Sequence, residues 1–306
     1  MLRFVLRRFL TAIPTLFVIV TASFFMMRFA PGGPFDLEKP LDDQVLANLK
    51  RIYRLDQPLF TQYLDFLGNL ARGDLGPSFF WRDFTAAELF AKALPISVSL
   101  GLSALALALI IGCTLGVIAA LYQNKSADYT VVAVATAGIT IPNFVVAPLL
   151  QLFFGLSLKW LPIGGLDSGV KSYILPILTL ALPQIAVIAR LMRASMIEAL
   201  RSHHIRTARA LGLPGTTVVL RHALRGALLP IVSYSGPAAA ALLTGSVIVE
   251  TIFAIPGIGR YFVESALNRD YTMVMGAVLV VAVFTILFNL IVDVLYALLD
   301  PRVRLE

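Results

Sequence analysis

Apolar residues in this chain come in long blocks, not in short periodic patches. Residues 9–27, 93–124, 129–158, 172–189, 226–249 and 271–292 contain no Asp, Glu, Lys or Arg. Each block is long enough, or nearly so, for a helix of about 20 residues to cross the hydrocarbon core of a bilayer. The two longest carry polar ends such as Tyr122-Gln123-Asn124, so each reads as one helix with its flanks. Period-2 alternation, the mark of a membrane strand, is absent, and backbone groups in lipid must then be paired within helices. The pattern predicts an all-α integral membrane protein with six transmembrane helices.

Composition agrees: 58% of residues are hydrophobic and 14% charged, where a soluble domain carries about a quarter charged. The first block has a basic start (Arg3, Arg7, Arg8), and Val20-Thr21-Ala22 imitates a cleavage site. Its apolar run exceeds the roughly 7–15 residues of a signal peptide, so it is expected to stay as the first span. Cys113 is the single cysteine and lies in the second block, where it reads as a small apolar residue.

With six spans the charges sort onto two sides. One side holds both termini, Lys125 and the 190–225 loop, and carries thirteen basic against four acidic residues; the other carries twelve against thirteen. The excess of Lys and Arg puts the first side in the cytoplasm. Both termini and the tail 301–306 are therefore expected to be cytoplasmic, and the 31–92 loop to lie outside.

That outer loop is too long for a plain connector. Val45, Leu46, Leu49, Ile52 and Tyr53 fit one helical face, with Asp42 as an N-cap, and Leu59, Phe60, Tyr63, Leu64, Leu67 and Leu70 fit a second. Gly73-Asp74-Leu75-Gly76-Pro77 breaks the second. A helical cap on the outer face is expected, packing on the spans or meeting an outer partner. Farther along, Ile255-Pro256-Gly257-Ile258-Gly259-Arg260 reads as a turn or re-entrant segment beside a span, and Pro256 and Gly257 are candidate gate residues.

Chemistry is sparse. No G-x-x-x-x-G-K-[ST] phosphate loop and no G-x-S-x-G elbow occurs. His203, His204 and His222 are the only histidines; a metal needs three or four convergent ligands, so they read as surface residues. The blocks lack the ionisable residues on which proton- and sodium-coupled carriers depend; Glu250 and Asp293 stand only at span ends. Prolines are frequent in and near the spans, and each removes a helical hydrogen bond. Ile141-Pro142-Asn143 and Ser235-Gly236-Pro237 join a kink to a polar or small neighbour. Pro142, Asn143, Gly236 and Pro237 are thus candidates for a translocation path, structural kinking being the plainer reading. A multispan protein with kinked helices and no motor needs another chain to drive uphill transport.

The basic loop has three readings. Arg190, Arg193, Arg221 and Arg225 flank spans and anchor them to anionic lipid, worth about 1 kcal/mol each. Nucleic acid fits poorly, since no aromatic residues accompany the charge. The centre suits a protein partner: Ile205, Ala208 and Leu211 share one face, Arg206 and Arg209 another, and Gly212 with Pro214-Gly215 ends the helix.

This stretch resembles the cytoplasmic coupling loop, the EAA motif, of binding-protein-dependent ABC permeases. Of the generic pattern only Ala208, Gly212 and Leu224 match. The form typical of the peptide branch is fuller: Arg206-Thr207-Ala208-Arg209-Ala210 with His222-Ala223-Leu224-Arg225, Gly73-Asp74-Leu75-Gly76, Glu250-Thr251-Ile252-Phe253, Pro256-Gly257-Ile258-Gly259, Asn268-Arg269-Asp270-Tyr271, and the run from Val292 through Asp300-Pro301-Arg302. Ile13-Pro14-Thr15-Leu16-Phe17 and the run from Ile141-Pro142-Asn143-Phe144 to Pro148 look like the B-type subunits of oligopeptide permeases. The resemblance covers essentially the whole chain.

It implies the type I ABC importer permease fold in a bacterial cytoplasmic (inner) membrane. Residues 1–30 would be the N-terminus and first span, 31–92 a periplasmic insertion, and 93–300 the other five spans with a coupling loop at 194–225. It implies a homologous C-type permease as partner, two ABC ATPase subunits that bind ATP and Mg, and a periplasmic peptide-binding protein. This chain would bind no cofactor itself. Ile205, Arg206, Thr207, Ala208, Arg209, Leu211 and Gly212 are the expected ATPase-coupling residues, with Ala208 and Gly212 allowing close approach. Peptide is the expected cargo, oligopeptides foremost; related subunits serve dipeptides, glutathione and nickel chelates. A self-sufficient carrier or channel and a non-transporting scaffold are the rival classes.

Overall fold

The computed structural model describes residues 2–30, 32–35, 42–81 and 83–299. The tail 301–306, with the end of the Asp300-Pro301-Arg302 motif, and the side chains of residues 1–8, 244, 245, 293 and 295–300 lie outside the described set. Among the described residues every regular element is a helix.

Among the described residues five helices are long and apolar enough to cross a membrane unbroken. They are α1 (Leu2–Phe29), α4 (Ala86–Leu121), α7 (Lys171–Arg201), α11 (Leu229–Ile252) and α13 (Tyr271–Leu299). The expected third span is not one helix. It consists of α5 (Ser126–Thr140) and α6 (Asn143–Leu150), the latter continuing as a π-helical turn over Gln151–Ser157, with a bend of 102° between the two halves. At about 1.5 Å per residue, the 15 residues of α5 reach about 22 Å, short of the hydrocarbon thickness. The break falls where Pro142 denies the backbone an N–H and holds Ile141 extended, at φ −83° and ψ 118°.

Two helices outrun their charge-free blocks. α4 begins seven residues before Ala93, at a capping box: the Thr85 side chain accepts from Glu88 N–H and the Glu88 carboxylate from Thr85 N–H. α7 continues twelve residues past Ala189, so Arg190 and Arg193 lie within it. A charge ends an apolar block but not a helix, because Arg and Lys are good helix formers.

α4 and α7 pack along their length at the centre, and α11 and the α5–α6 pair flank them. α13 packs on α11 and carries α1 on its other side. The shared core runs through Leu100, Ala104 and Ala108 of α4, Leu175, Ile188 and Met192 of α7, and Ile231 and Leu242 of α11. Phe9, Phe17, Ile110, Val134 and Phe153 stand outward and exposed, as lipid- or partner-facing residues do.

The insertion forms α2 (Asp43–Ile52) and α3 (Leu59–Ala71). Asp42 caps α2 by accepting from Gln44 N–H. No side chain of α2 is buried, and Val45 and Ile52 are exposed. α3 does the packing: Tyr63 is buried against Val20 and Phe24 of α1, its hydroxyl 2.7 Å from that of Thr21, and Phe24 stacks on Phe66.

Candidate coupling site and translocation elements

At the basic end of the bundle α7 turns directly into α8 (His203–Ala210) through extended Ser202, whose hydroxyl donates to Ala199 C=O at 2.6 Å. Positions i and i+3 of a helix share a face. Ile205 and Ala208 accordingly turn inward and are buried, in the same cluster as Met192 and Met196 of α7 and Val218 and Ala223 of the returning chain. Arg206, Thr207 and Arg209 stand exposed on the other faces, as do His203 and His204.

Leu211 departs from its expected face: it is 75% exposed. The helix ends one residue earlier, because Gly212 takes φ +75°. Gly212 N–H donates to Arg209 C=O at 3.0 Å and Leu213 N–H to Ala208 C=O at 3.3 Å, the paired bonds of a Schellman ending. Ala208, expected to let a partner approach, is instead a seat within its own chain. The surface open to a partner is Arg206, Thr207, Arg209, Leu211 and Gly212. The chain returns through α9 (Gly215–Thr217), a π-helical turn over Val218–Ala223, and α10 (Leu224–Ala227), whose Arg221, His222 and Arg225 are exposed.

Arg193 is not simply a lipid anchor. It forks onto Asp128 of α5, Nε to Oδ1 at 2.5 Å and Nη2 to Oδ2 at 2.7 Å, and the Asp128 side chain is 2% exposed. Arg201 donates to Gln123 at 3.1 Å beside it. Farther into the bundle the Tyr234 hydroxyl of α11 donates to Gln184 of α7 at 2.8 Å.

The translocation candidates occupy three separate places. Pro142 and Asn143 lie at the bend of the third span, Pro142 exposed and Asn143 half-buried. Gly236 is buried against Val292 and Asn289 of α13, so it serves packing, whereas Pro237 beside it is exposed. Pro256 and Gly257 form the turn before α12 (Ile258–Leu267) at the opposite, insertion end. Buried Glu250 accepts from Gly259 N–H at 2.7 Å and Ser97 Oγ from Ile258 N–H at 2.9 Å, which places a carboxylate at a helix start. Asp270 is buried too, accepting from Ser78 Oγ, Phe79 N–H, Phe80 N–H and Met273 N–H. Sequence patterning missed the Asp128–Arg193 and Gln184–Tyr234 pairs because their members lie 65 and 50 residues apart. One clue was available: Asp128 is one of four acidic residues on a side with thirteen basic ones.

A bundle of apolar spans, one of them broken, with a short basic helix seated at one end, has the type I ABC importer permease fold. Among solved structures it matches an inward-facing MetNI methionine ABC transporter with a TM-score of 0.60 at 18% identity, over 70% of this chain and 97% of that one. The model of the binding-protein-dependent transport system inner membrane component matches residues 112–305, and that of its N-terminal part residues 1–100. The oligopeptide transport system permease protein OppB of Salmonella typhimurium is 54% identical over 99% of this chain and 100% of its own length. The dipeptide transport system permease protein DppB of Bacillus subtilis is 41% identical over 100% of this chain and 99% of its own length. The chain belongs to the family of binding-protein-dependent transport system inner membrane components, and it is a multi-pass membrane permease.

Proposed function

We propose that this permease is the membrane subunit of an ATP-driven importer that carries peptides, oligopeptides foremost, into the cytoplasm. The observation that carries the reading is the 54% identity, end to end, to an oligopeptide permease, against 41% to a dipeptide one. The basic end faces the cytoplasm and the α2–α3 insertion faces outward, in keeping with the positive-inside rule. A homologous C-type permease completes the path, a periplasmic binding protein delivers the peptide, and two ATPase subunits hold ATP and Mg.

The mechanism is mechanical. Ile205 and Ala208 seat α8 on its own chain, so a partner gripping Arg206, Thr207, Arg209 and Leu211 moves the helix and its seat together. Gly212 ends the helix without a side chain, leaving room for a partner's groove. α8 follows α7 after one extended residue, so its displacement passes into α7 and the packed α4. The bend at Pro142 lets the two halves of the third span shift relative to each other as that displacement arrives, and alternating access follows. Reconstitution with the partner permease, both ATPases and the binding protein tests this. ATP-dependent uptake of a labelled oligopeptide is expected, with none from this chain alone; uptake by the chain alone without ATP would favour a self-sufficient carrier.

A further inference from the structure

We infer that Asp128 and Arg193 are positioning residues that tie the broken third span to the coupling helix, so that movement of α8 reaches the bend at Pro142. The inference rests on the importer reading above and goes beyond it by naming the connection. Asp128 lies in the first turn of α5, and both its oxygens are engaged by Arg193. Oδ2 also accepts from Asn124 N–H at 2.9 Å, so the start of α5 and the turn before it are pinned to α7. Arg193 stands eight residues, about 12 Å, before the end of α7, from which α8 follows after Ser202.

The pair is not needed to hold α7 to α4, because those helices already meet backbone to backbone at Gly112 and Gly116. Its effect falls on α5, which packs on α7 but leaves open space on one side. Beyond the pair, α5–α6 and α7 border an apolar cleft of about 510 Å³ lined by Leu115, Val134, Ile141, Leu182 and Ile185. Within that region Gly138 approaches Ala186, where an added Cβ would lie 3.3 Å away. The third span is therefore clamped at one end, packs on α7 at Gly138 and in the core through buried Ala147, bends by 102° at Pro142, and has open space beside it. A buried ion pair adds little net stability over an apolar replacement, while its forked geometry fixes one arrangement of its helices.

The test uses the complete complex with its binding protein in proteoliposomes, reading ATP hydrolysis and labelled-peptide uptake in one sample. Asp128→Asn is expected to raise the ATP hydrolysed per peptide imported by about fivefold or more, the lower range of coupling effects. Arg193→Lys keeps a charge beside Asp128 but cannot fork, and about a two- to threefold rise is expected. A purely structural pair would lower both rates together at an unchanged ratio; that result, or unchanged rates, overturns the inference. Should Asp128→Asn fail to assemble, Arg193→Lys decides by the same ratio. Failure of the wild-type complex to import any peptide would refute the importer reading instead, so the two failures are distinguishable.

Discussion

Gly116 of α4 lies against Met192 of α7 so closely that a Cβ on the glycine would stand 2.6 Å from the Met192 Cβ and 2.6 Å from the Ala189 carbonyl oxygen. One turn earlier Gly112 meets Ile188 in the same way, at 2.8 Å. Close approach through small residues is how helices associate in lipid, where burial of apolar surface offers little drive. Gly116→Val is expected to cost about 1–3 kcal/mol by overpacking and to lower the melting temperature of the detergent-solubilised protein. Gly68→Ala in α3 is the control: nothing lies within 4 Å of its added Cβ, and a gain of about 0.5–1 kcal/mol is expected from helix propensity.

Asp270 holds more of the insertion end of the bundle than a single carboxylate usually does. It holds the Ser78–Phe80 turn and caps α13, accepting four hydrogen bonds. Asp270→Ala leaves donors unpaired, at about 1–3 kcal/mol for each one left buried. Proteolysis should then cut residues 73–81 well before the bundle unfolds, and equal protection of that turn in mutant and wild type would count against this role.

Gly212→Trp separates folding from docking. Open space surrounds the position, and the φ of +75° costs a non-glycine residue about 1–2 kcal/mol. The variant should therefore reach the membrane in near-normal amounts. Copurification of the ATPase subunits in mild detergent should fall about tenfold, the equivalent of about 1.4 kcal/mol. Undiminished copurification would place docking elsewhere.

Ile205→Asp attacks the same helix from beneath. Ile205 is fully buried, and an unpaired charge there cannot be accommodated without moving α8 off its seat. Normal assembly but loss of nucleotide-dependent transport is expected if α8 docks yet no longer carries its seat with it. Arg206→Ala, on the exposed face, should instead weaken ATPase binding while leaving the folding stability within about 0.5 kcal/mol of wild type.

Tyr63 fastens the insertion to α1. Tyr63→Phe removes only the contact with Thr21, worth about 0.5–1.5 kcal/mol. Tyr63→Ala also empties the space beside Phe24 and Phe66, at about 3–5 kcal/mol for a large aromatic residue. Hydrogen exchange across residues 59–71 should rise sharply for the alanine variant and slightly for the phenylalanine one.

The short helix α8 was legible almost residue by residue. Ile205 and Ala208 share a face by spacing alone, and Gly212 marks the stop. Leu211 was misplaced because spacing does not tell whether the residue before a left-handed glycine still belongs to the helix. The translocation candidates were less legible. Gly236 has the same local signature as a kink site, a glycine beside a proline, and its burial against α13 depends on a helix some fifty residues away. Helix ends were hidden wherever charges fall within a helix, as at Glu88 and Arg193.

By itself the sequence determined the class of this protein: six apolar blocks, an insertion of two amphipathic helices after the first of them, a basic loop with a short helix, and the motifs of its family. Those features are local, set by hydropathy, periodicity and helix-stop residues within a few turns. Only the tertiary structure decided that the third span breaks by 102°, that Asp128 meets Arg193, and that Ala208 faces its own chain instead of a partner. The place of the break is local to Pro142, but the ion pair and the seat of Ala208 depend on groups distant in sequence, which in lipid are brought together by shape and by the need to pair buried polar atoms.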